Sequence, residues 1–190
     1  MAESETNPVL QVVDLNKALI ENKKYPADLL QFSQLGWRAY YHCHPADRAG
    51  NHRFKGEHGH FHIFVRIHKN PEKWSHLVAL AIDNMGQPLG WFTVNHWVTG
   101  EEWQRADILV EYLINIPFDK TEILVERWLL SLLALSSDSL ETLLHERDKI
   151  INQKQYDSKE EKVTQDKGIY LLSEQPINIR ELLLFKINND

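Results

Sequence analysis

The residues His60-Phe61-His62-Ile63-Phe64-Val65-Arg66-Ile67 carry the clearest structural pattern of the sequence, because two kinds of side chain alternate along them. One set is entirely apolar: Phe61, Ile63, Val65 and Ile67. The other set contains His60, His62, Phe64 and Arg66. Successive side chains of a β-strand point to opposite faces of its sheet. The stretch therefore predicts a strand whose apolar face packs on the core and whose histidine face is the polar or functional one.

Two more strands are predicted directly after this one. Residues 76–83, HLVALAID, are apolar on both sides, which is typical of a central strand. A turn at 83–88 precedes residues 89–98, LGWFTVNHWV, whose aromatic and β-branched side chains favour a third strand. Short connections between the strands indicate an antiparallel meander.

Helical spacing of apolar residues predicts helices on both sides of these strands. The N-terminal pair would span 9–23 and 26–41, with Pro26 in the first turn of the second helix. The C-terminal set would span 101–114, 119–135 and 140–152. The expected fold is α+β: an antiparallel β-meander of about three to five strands packed with N-terminal and C-terminal helices.

The length of 190 residues predicts a single domain with a tail. We expect the α+β domain, with its histidine-rich strand, to occupy residues 1–156. Residues 157–190 would form a charged linker and a C-terminal docking segment, with an edge strand or a docking helix around Pro176.

Charge and composition exclude several functional classes. The formal net charge of −6 argues against nucleic acid as a partner. No window approaches the roughly 18 apolar residues of a membrane helix, and the N-terminus lacks the features of a signal peptide, so we expect a cytoplasmic protein. Cys43 is the only cysteine, which excludes an internal disulfide. Residues 36–70 are locally basic and rich in histidine, which favours a small anionic ligand. The oligomeric state is left open.

The histidine row predicts a metal site. Imidazoles two residues apart on a strand point to the same side and can share one ion. We expect His60 and His62 as core ligands, with His58 and His76 as further ligands. Glu57, Glu101 and His96 are other candidates for the third position. Three histidines suit zinc or another divalent ion, whereas two histidines and a carboxylate suit iron, so Zn, Fe, Mn and Ni all stay open.

A catalytic role and a purely binding role are both compatible with these residues. In an enzyme, His60 would be a catalytic residue and Glu101 a ligand or general base. In a binding or scaffold domain, the row would contact an anionic partner or line a polar groove. The residues predicted to bind a ligand are His58, Asn95, His96, Arg53 and Arg66.

The order His58-x-His60-x-His62, followed by two apolar residues, resembles the signature of the histidine-triad nucleotide hydrolases and transferases. This resemblance implies that His60 attacks the α-phosphorus of a nucleotide while His58 and His62 position and polarise the site. Gly59 departs from the signature, because that family prefers an apolar residue there. Gly59 also allows a bend, with His58 at the entry to the strand.

A longer resemblance covers roughly residues 37–150. It rests on specific blocks of sequence: GEHGHFH at 56–62, FTVN at 92–95, WVTGE at 97–101, RWL at 127–129 and RD at 147–148. These blocks are similar to a bacterial family of small uncharacterised proteins, a domain of unknown function. The resemblance implies no activity. It groups His58, His60, His62, Asn95 and Glu101, and it implies an anion-facing role for His96, because that family commonly has arginine there.

Overall fold

A computed structural model of the chain describes residues 7–14, 17, 19–32, 36–44, 54–114, 116–157 and 162–189. Within these residues, the strands are β1 (Tyr25–Phe32), β2 (Trp37–His42), β3 (Glu57–Ile67), β4 (Asn70–Asp83), β5 (Pro88–Val94) and β6 (Leu171–Pro176). The helices are α1 (His96–Thr99), α2 (Ala106–Ile114), α3 (Leu124–Leu135), α4 (Ser137–Asp157) and α5 (Ile179–Asn189). Short 3-10 turns lie at Pro8–Gln11 and Val163–Gln165.

The strands form one sheet in chain order, and every neighbouring pair is antiparallel. The predicted α+β class and β-meander are therefore confirmed, with six strands among the described residues, slightly more than expected. The pairing of β3 with β4 lies at the centre of the sheet and places Phe61 opposite Leu80. The predicted central strand is thus flanked on both sides.

One face of the sheet carries the main hydrophobic core. Phe61, Ile63 and Val65 are fully buried and pack in one cluster with side chains from α2, α3 and α4, such as Leu109 and Leu129. Burying an aliphatic or aromatic side chain of this size contributes about 1.5–3 kcal/mol. The apolar set of the opening stretch therefore faces the core, as the alternation predicted.

The opposite face of the sheet is also buried. His60 and His62 have no exposed surface, and a smaller apolar cluster formed by Ala79, Ala81, Phe92 and Val94 lies on the same face. Phe54, Val98 and Tyr170 pack against this second cluster. The histidine side of β3 thus lies beneath other parts of the chain, where polar groups need internal partners.

The N-terminal part differs from its prediction. Instead of a helix over 26–41, the chain forms β1 and β2, joined through Gly36 with φ of +72°. The described residues of 9–23 contain only the 3-10 turn Pro8–Gln11. In β2, Trp37, Ala39 and Tyr41 face the main core, so the relevant period is two rather than that of a helix. Pairing with β3 satisfies the backbone groups of β2, and tertiary context overrides the local helical signal.

The remaining elements follow the predicted order with shifted boundaries. The third strand, β5, ends at Val94, and α1 begins at His96 because the Asn95 side chain accepts the His96 backbone N–H as a cap. The helices predicted over 101–114, 119–135 and 140–152 correspond to α2, α3 and α4. Beyond them, β6 pairs with β5 as the last strand of the sheet, and α5 follows it. Among the described residues, no helix is long and apolar enough to cross a membrane.

Candidate metal centre

Strand β3 and the end of β2 each carry a His-x-His pair. His60 and His62 belong to β3, while His42 ends β2 and His44 follows two residues later. The antiparallel register places His42 opposite His60. The ring centroids of His42 and His60 lie 4.5 Å apart, and those of His60 and His62 lie 4.9 Å apart. The pairing of the two strands thus gathers imidazoles that are distant in sequence.

Three of these imidazoles can hold a metal ion. His42, His60 and His62 each offer a ring nitrogen within 4.8 Å of the other two. His60 and His62 are completely buried, and His42 is partly buried. Nitrogens around a tetrahedral zinc ion lie about 3.3 Å apart, with metal–nitrogen distances of about 2.0–2.1 Å. Small side-chain shifts would therefore let the three nitrogens enclose an ion.

The buried carboxylate of Glu57 orients His60. Its Oε1 accepts a hydrogen bond from Nδ1 of His60 at 2.7 Å. The register of β3 against β4 shifts between Glu57 and Gly59, as in a β-bulge, where two residues oppose one. This irregularity brings Glu57 to the side of His60. A histidine held by a carboxylate in this way presents Nε2 to an ion, as in many zinc sites.

His62 has a similar arrangement with His76 as its partner. Nδ1 of His62 lies 2.9 Å from Nε2 of His76. Nε2 of His62 is buried and has no hydrogen-bond partner among the described residues. Burial, with smaller contributions from the neighbouring histidines, lowers the pKa of His62 well below its usual value. Burial also lowers the pKa of His76 to about 3. Both rings are therefore neutral near pH 7, the form in which imidazole binds metal.

Nε2 of His42 and Nε2 of His60 lie 2.7 Å apart, so one donates a hydrogen bond to the other. In a neutral His60 whose Nδ1 donates to Glu57, Nε2 is the acceptor and His42 is the donor. A divalent ion would replace the proton between the two rings. Together with Nε2 of His62, this gives a set of neutral nitrogen donors next to one buried carboxylate, and such a set fits a divalent transition metal.

His58 is placed apart from this group. Its ring stacks on Tyr41, with centroids 6.1 Å apart, and its Nδ1 lies 2.7 Å from the Tyr41 hydroxyl. Tyr41 belongs to the main core on the other side of the sheet. The irregularity at Gly59 accounts for this, because the alternation that holds from His60 onward does not extend back to His58. The structure thus brings together His60, His62 and His76, but not His58.

Glu101 lies at the edge of the region and is paired with arginine. Its Oε1 accepts a hydrogen bond from Nη2 of Arg38, and the Arg38 guanidinium stacks over Trp74 at 4.4 Å. The guanidinium of Arg66 lies over the same ring at 5.1 Å. Burial lowers the pKa of Arg38, although Glu101 opposes the effect. Glu101 is therefore part of a cluster of charged and aromatic side chains and does not belong to the three-histidine group.

Asn95 is hydrogen-bonded to the backbone of residues 163–170. Its Nδ2 donates to the backbone carbonyls of Val163, Asp166 and Ile169 at 2.8, 3.4 and 3.1 Å, and its backbone N–H donates to Tyr170. Asn95 thus fastens residues 163–170 over the histidine face. His96 is half-buried at the rim, with its Nδ1 2.7 Å from Nε2 of Gln165. Arg53, also predicted to bind a ligand, lies outside the described residues.

A cleft of about 500 Å³ opens beside this region, between Trp74, Trp103 and the 162–165 segment. A second cavity of about 10 Å³, close to the size of one water molecule, shares Glu101 and His96 with the cleft and reaches His76. The cleft therefore approaches the histidine group from the side of His76.

Sequence reasoning missed His42 and assigned Glu57 only as a candidate ligand. The signal that could have found the second pair is present in the sequence: His42-Cys43-His44 repeats the spacing of His60-Phe61-His62. The prediction of a helix over 26–41 followed by a loop from His42 hid it, because a loop gives His42 and His44 no common sheet face.

A search of curated proteins and a search of solved structures both found no match to the chain. One family model matches residues 1–177, nearly the whole chain, and extends well beyond the blocks at 37–150 that indicated a resemblance. It describes a domain of unknown function and so names no activity to compare with the histidine site. The match is sufficient to conclude that the chain belongs to the DUF6969 family.

Proposed function

We propose that the protein binds one divalent transition metal ion through Nε2 of His42, His60 and His62. Two observations carry the proposal: Nε2 of His62 is buried and has no hydrogen-bond partner among the described residues, and ring nitrogens of His42, His60 and His62 lie within 4.8 Å of one another. Leaving such a group unsatisfied costs about 1–3 kcal/mol. Binding an ion would satisfy it.

The donor set favours zinc, iron or nickel. All three ligands are neutral imidazoles, which these metals accept readily, whereas manganese prefers oxygen donors. Zinc is the best fit of the three metals, because it binds in tetrahedral nitrogen sites with three or four protein ligands. We also propose a cytoplasmic location, since the site uses imidazoles only and Cys43 is the single cysteine of the chain.

Metal-dependent catalysis is the second candidate function, and the neighbouring cleft favours it. Three protein ligands leave a fourth position at which a water molecule or substrate could be activated. The cleft is lined by two lysines and three glutamates: Lys73, Lys162, Glu72, Glu101 and Glu102. Because Lys73 pairs with Glu102, Lys162 is the side chain that would attract a small anionic ligand there. Glu101 would serve as the general base, and its ion pair with Arg38 would hold it in place.

Histidine-triad chemistry is less well supported by the geometry. It requires His58, His60 and His62 to address one phosphorus atom. His58 instead contacts Tyr41 on the core side, and the buried Nε2 of His60 lies against His42. A non-catalytic binding or scaffold role needs no open position and is compatible with the buried metal site.

Metal analysis tests the primary proposal. Mass spectrometry should find about one equivalent of a transition metal in the purified protein, or after chelation and incubation with Zn²⁺. The His60→Ala/His62→Ala double variant should lose that metal, whereas the control His145→Ala, at an exposed position on α4, should keep it. Circular dichroism would verify that each variant is folded. A wild-type protein that binds none of Zn²⁺, Fe²⁺, Mn²⁺ and Ni²⁺ would refute the proposal.

Catalysis is tested separately with the metal-loaded protein. Activated phosphate and carboxylate esters are suitable probes, and turnover should depend on the metal. The Glu101→Gln variant should keep the metal but lose most of the turnover. If the loaded wild-type protein hydrolyses neither probe, the non-catalytic role is favoured over the enzyme.

A further inference from the structure

A fourth histidine lies directly beside the three-histidine group. The ring centroid of His44 is 4.6 Å from that of His42 and 5.3 Å from that of His60. His44 is not one of the three residues whose nitrogens all lie within 4.8 Å of one another. Among the described residues, His44 is thus an additional imidazole slightly outside the group.

The spacing of these rings matches a four-histidine metal site. Four imidazoles bound tetrahedrally at about 2.0–2.1 Å through ring nitrogens have centroids roughly 5 Å apart. The centroid distances among His42, His60 and His62 are 4.5, 5.0 and 4.9 Å. The two distances from His44, 4.6 and 5.3 Å, lie in the same range. Five of the six centroid distances of a four-histidine site thus lie in this range.

Asn22 fixes the orientation of the His44 ring. Oδ1 of Asn22 lies 2.9 Å from Nδ1 of His44, and the Asn22 backbone N–H donates to the carbonyl of Cys43 at 3.0 Å. Asn22 has φ of +59°, a conformation that asparagine tolerates better than most residues. With Nδ1 bonded to the amide oxygen, Nε2 is the nitrogen that His44 can give to an ion.

The same arrangement recurs at three histidines of the site. Nδ1 of His60 bonds to Glu57, Nδ1 of His62 to His76, and Nδ1 of His44 to Asn22. In metal sites the second ring nitrogen usually has such a partner, which sets the tautomer and the direction of the ring. Three orienting partners from separate parts of the chain indicate that His44 is held for the same purpose as the two β3 histidines.

We propose that His44, oriented by Asn22, is the fourth protein ligand and closes the metal centre of the resting protein. The proposal rests on the proposed metal-binding function and goes further, because it assigns the position that three ligands would leave open. Any small anion or substrate that binds the metal must then displace His44. The two His-x-His pairs together form one four-histidine site that joins β2 to β3.

The ligand count can be measured directly on the wild-type protein. X-ray absorption of the zinc-loaded protein should show four imidazole nitrogens. The His44→Ala variant should still bind zinc, through three imidazoles and one oxygen ligand. Its zinc affinity should fall by at least about 10–100-fold, which is the loss caused by removing a residue that only hydrogen-bonds to a ligand. His145→Ala is the matched control and should leave the count at four.

Cobalt provides a second test, on access to the metal. The visible absorption of Co²⁺ in the wild-type protein should be that of a four-coordinate site and should not respond to azide. In His44→Ala, azide should bind in the vacated position and shift the spectrum. Asn22→Gly removes the amide oxygen without backbone strain and should weaken metal binding, and Asn22→Asp, which keeps an acceptor oxygen, should restore most of it.

The outcomes separate this proposal from the one on which it depends. A loaded wild-type protein with three imidazoles, whose cobalt spectrum already responds to azide and does not change in His44→Ala, would overturn the role of His44 and leave the three-histidine site intact. A wild-type protein that binds no metal would overturn both.

Discussion

Oε1 of Glu57 lies 2.7 Å from Nδ1 of His60, although residues three apart on a regular strand point to opposite faces of the sheet. The register shift between Glu57 and Gly59 makes this contact feasible. It also moves His58 to the other side, where it contacts Tyr41. This register shift thus places the Glu57 carboxylate, and not the His58 imidazole, next to the candidate metal centre.

Removing the Glu57 carboxylate should weaken metal binding without removing a ligand. In Glu57→Gln, the amide can still accept a hydrogen bond but carries no charge, and we expect zinc affinity to fall by about 10–100-fold. Competition with a chromophoric chelator would measure the change. Glu72→Gln, at an exposed position, is the control and should bind like wild type. Equal affinities in Glu57→Gln and wild type would show that the negative charge of Glu57 does not strengthen metal binding through His60.

Chelation should lower thermal stability. A metal present at 100 times its Kd stabilises the folded protein by about 2.7 kcal/mol. For a chain of this size that corresponds to a fall in Tm of about 5–10 °C on removal of the metal. Differential scanning calorimetry with and without chelator would measure it. The His60→Ala/His62→Ala variant should show no such shift, and an equal shift there would place the stabilising ion elsewhere.

Gly59→Ala should disturb the site by overpacking. A Cβ atom at this position would lie 2.6 Å from the carbonyl oxygen of His42 and 2.6 Å from the Tyr41 hydroxyl. Relieving these contacts means moving β3 away from β2, so we expect a loss of about 1–3 kcal/mol in unfolding free energy. Zinc affinity should fall with it, because His42 and His60 separate. Urea denaturation and metal titration would measure the two effects.

Gly168→Ala is the control for that substitution. A Cβ atom there meets only the Asp166 carboxylate, at 3.1 Å, and that side chain can move aside. If Gly168→Ala and Gly59→Ala lost the same stability and the same affinity, close packing between β2 and β3 would not be the cause.

Asn95→Ala should loosen the segment that covers the histidine face. The substitution leaves backbone carbonyls of residues 163–169 without their donor and should cost about 1–3 kcal/mol. Hydrogen exchange should rise in residues 163–170 more than in β3 or β4. The exposed Asn152→Ala is the control and should stay within about 0.5 kcal/mol of wild type. Uniform exchange changes across the chain would contradict a local clamp.

The sequence predicts the centre of the fold well, because there the side-chain pattern and the burial coincide. The alternation at 60–67 identifies the core-facing residues, and the apolar run at 76–83 identifies the central strand β4. The prediction from the sequence fails at residues 26–41, where Pro26 and helical spacing suggest a helix. Trp37, Ala39 and Tyr41 alternate into the core as well, but only the pairing with β3 decides between the two periods.

The candidate site was predicted in part for the same reason. His60, His62 and His76 lie on elements whose direction the pattern predicts, and the structure brings them together. His42 is the last residue of β2, and the sequence predicts a helix up to Tyr41 and a loop from His42. The position of His58 depends on a register shift, and no periodicity in the sequence specifies an irregularity of that kind.

The contact between His42 and His60 spans 18 positions of the chain. An ion shared by these residues would act as a reversible cross-link, and closing a covalent loop of about this size removes about 3 kcal/mol of chain entropy from the unfolded state. His60 and His62 are local neighbours and could hold an ion before the sheet forms, whereas His42 can join them only when β2 pairs with β3. Metal capture by the full site would therefore report the closure of that loop during folding.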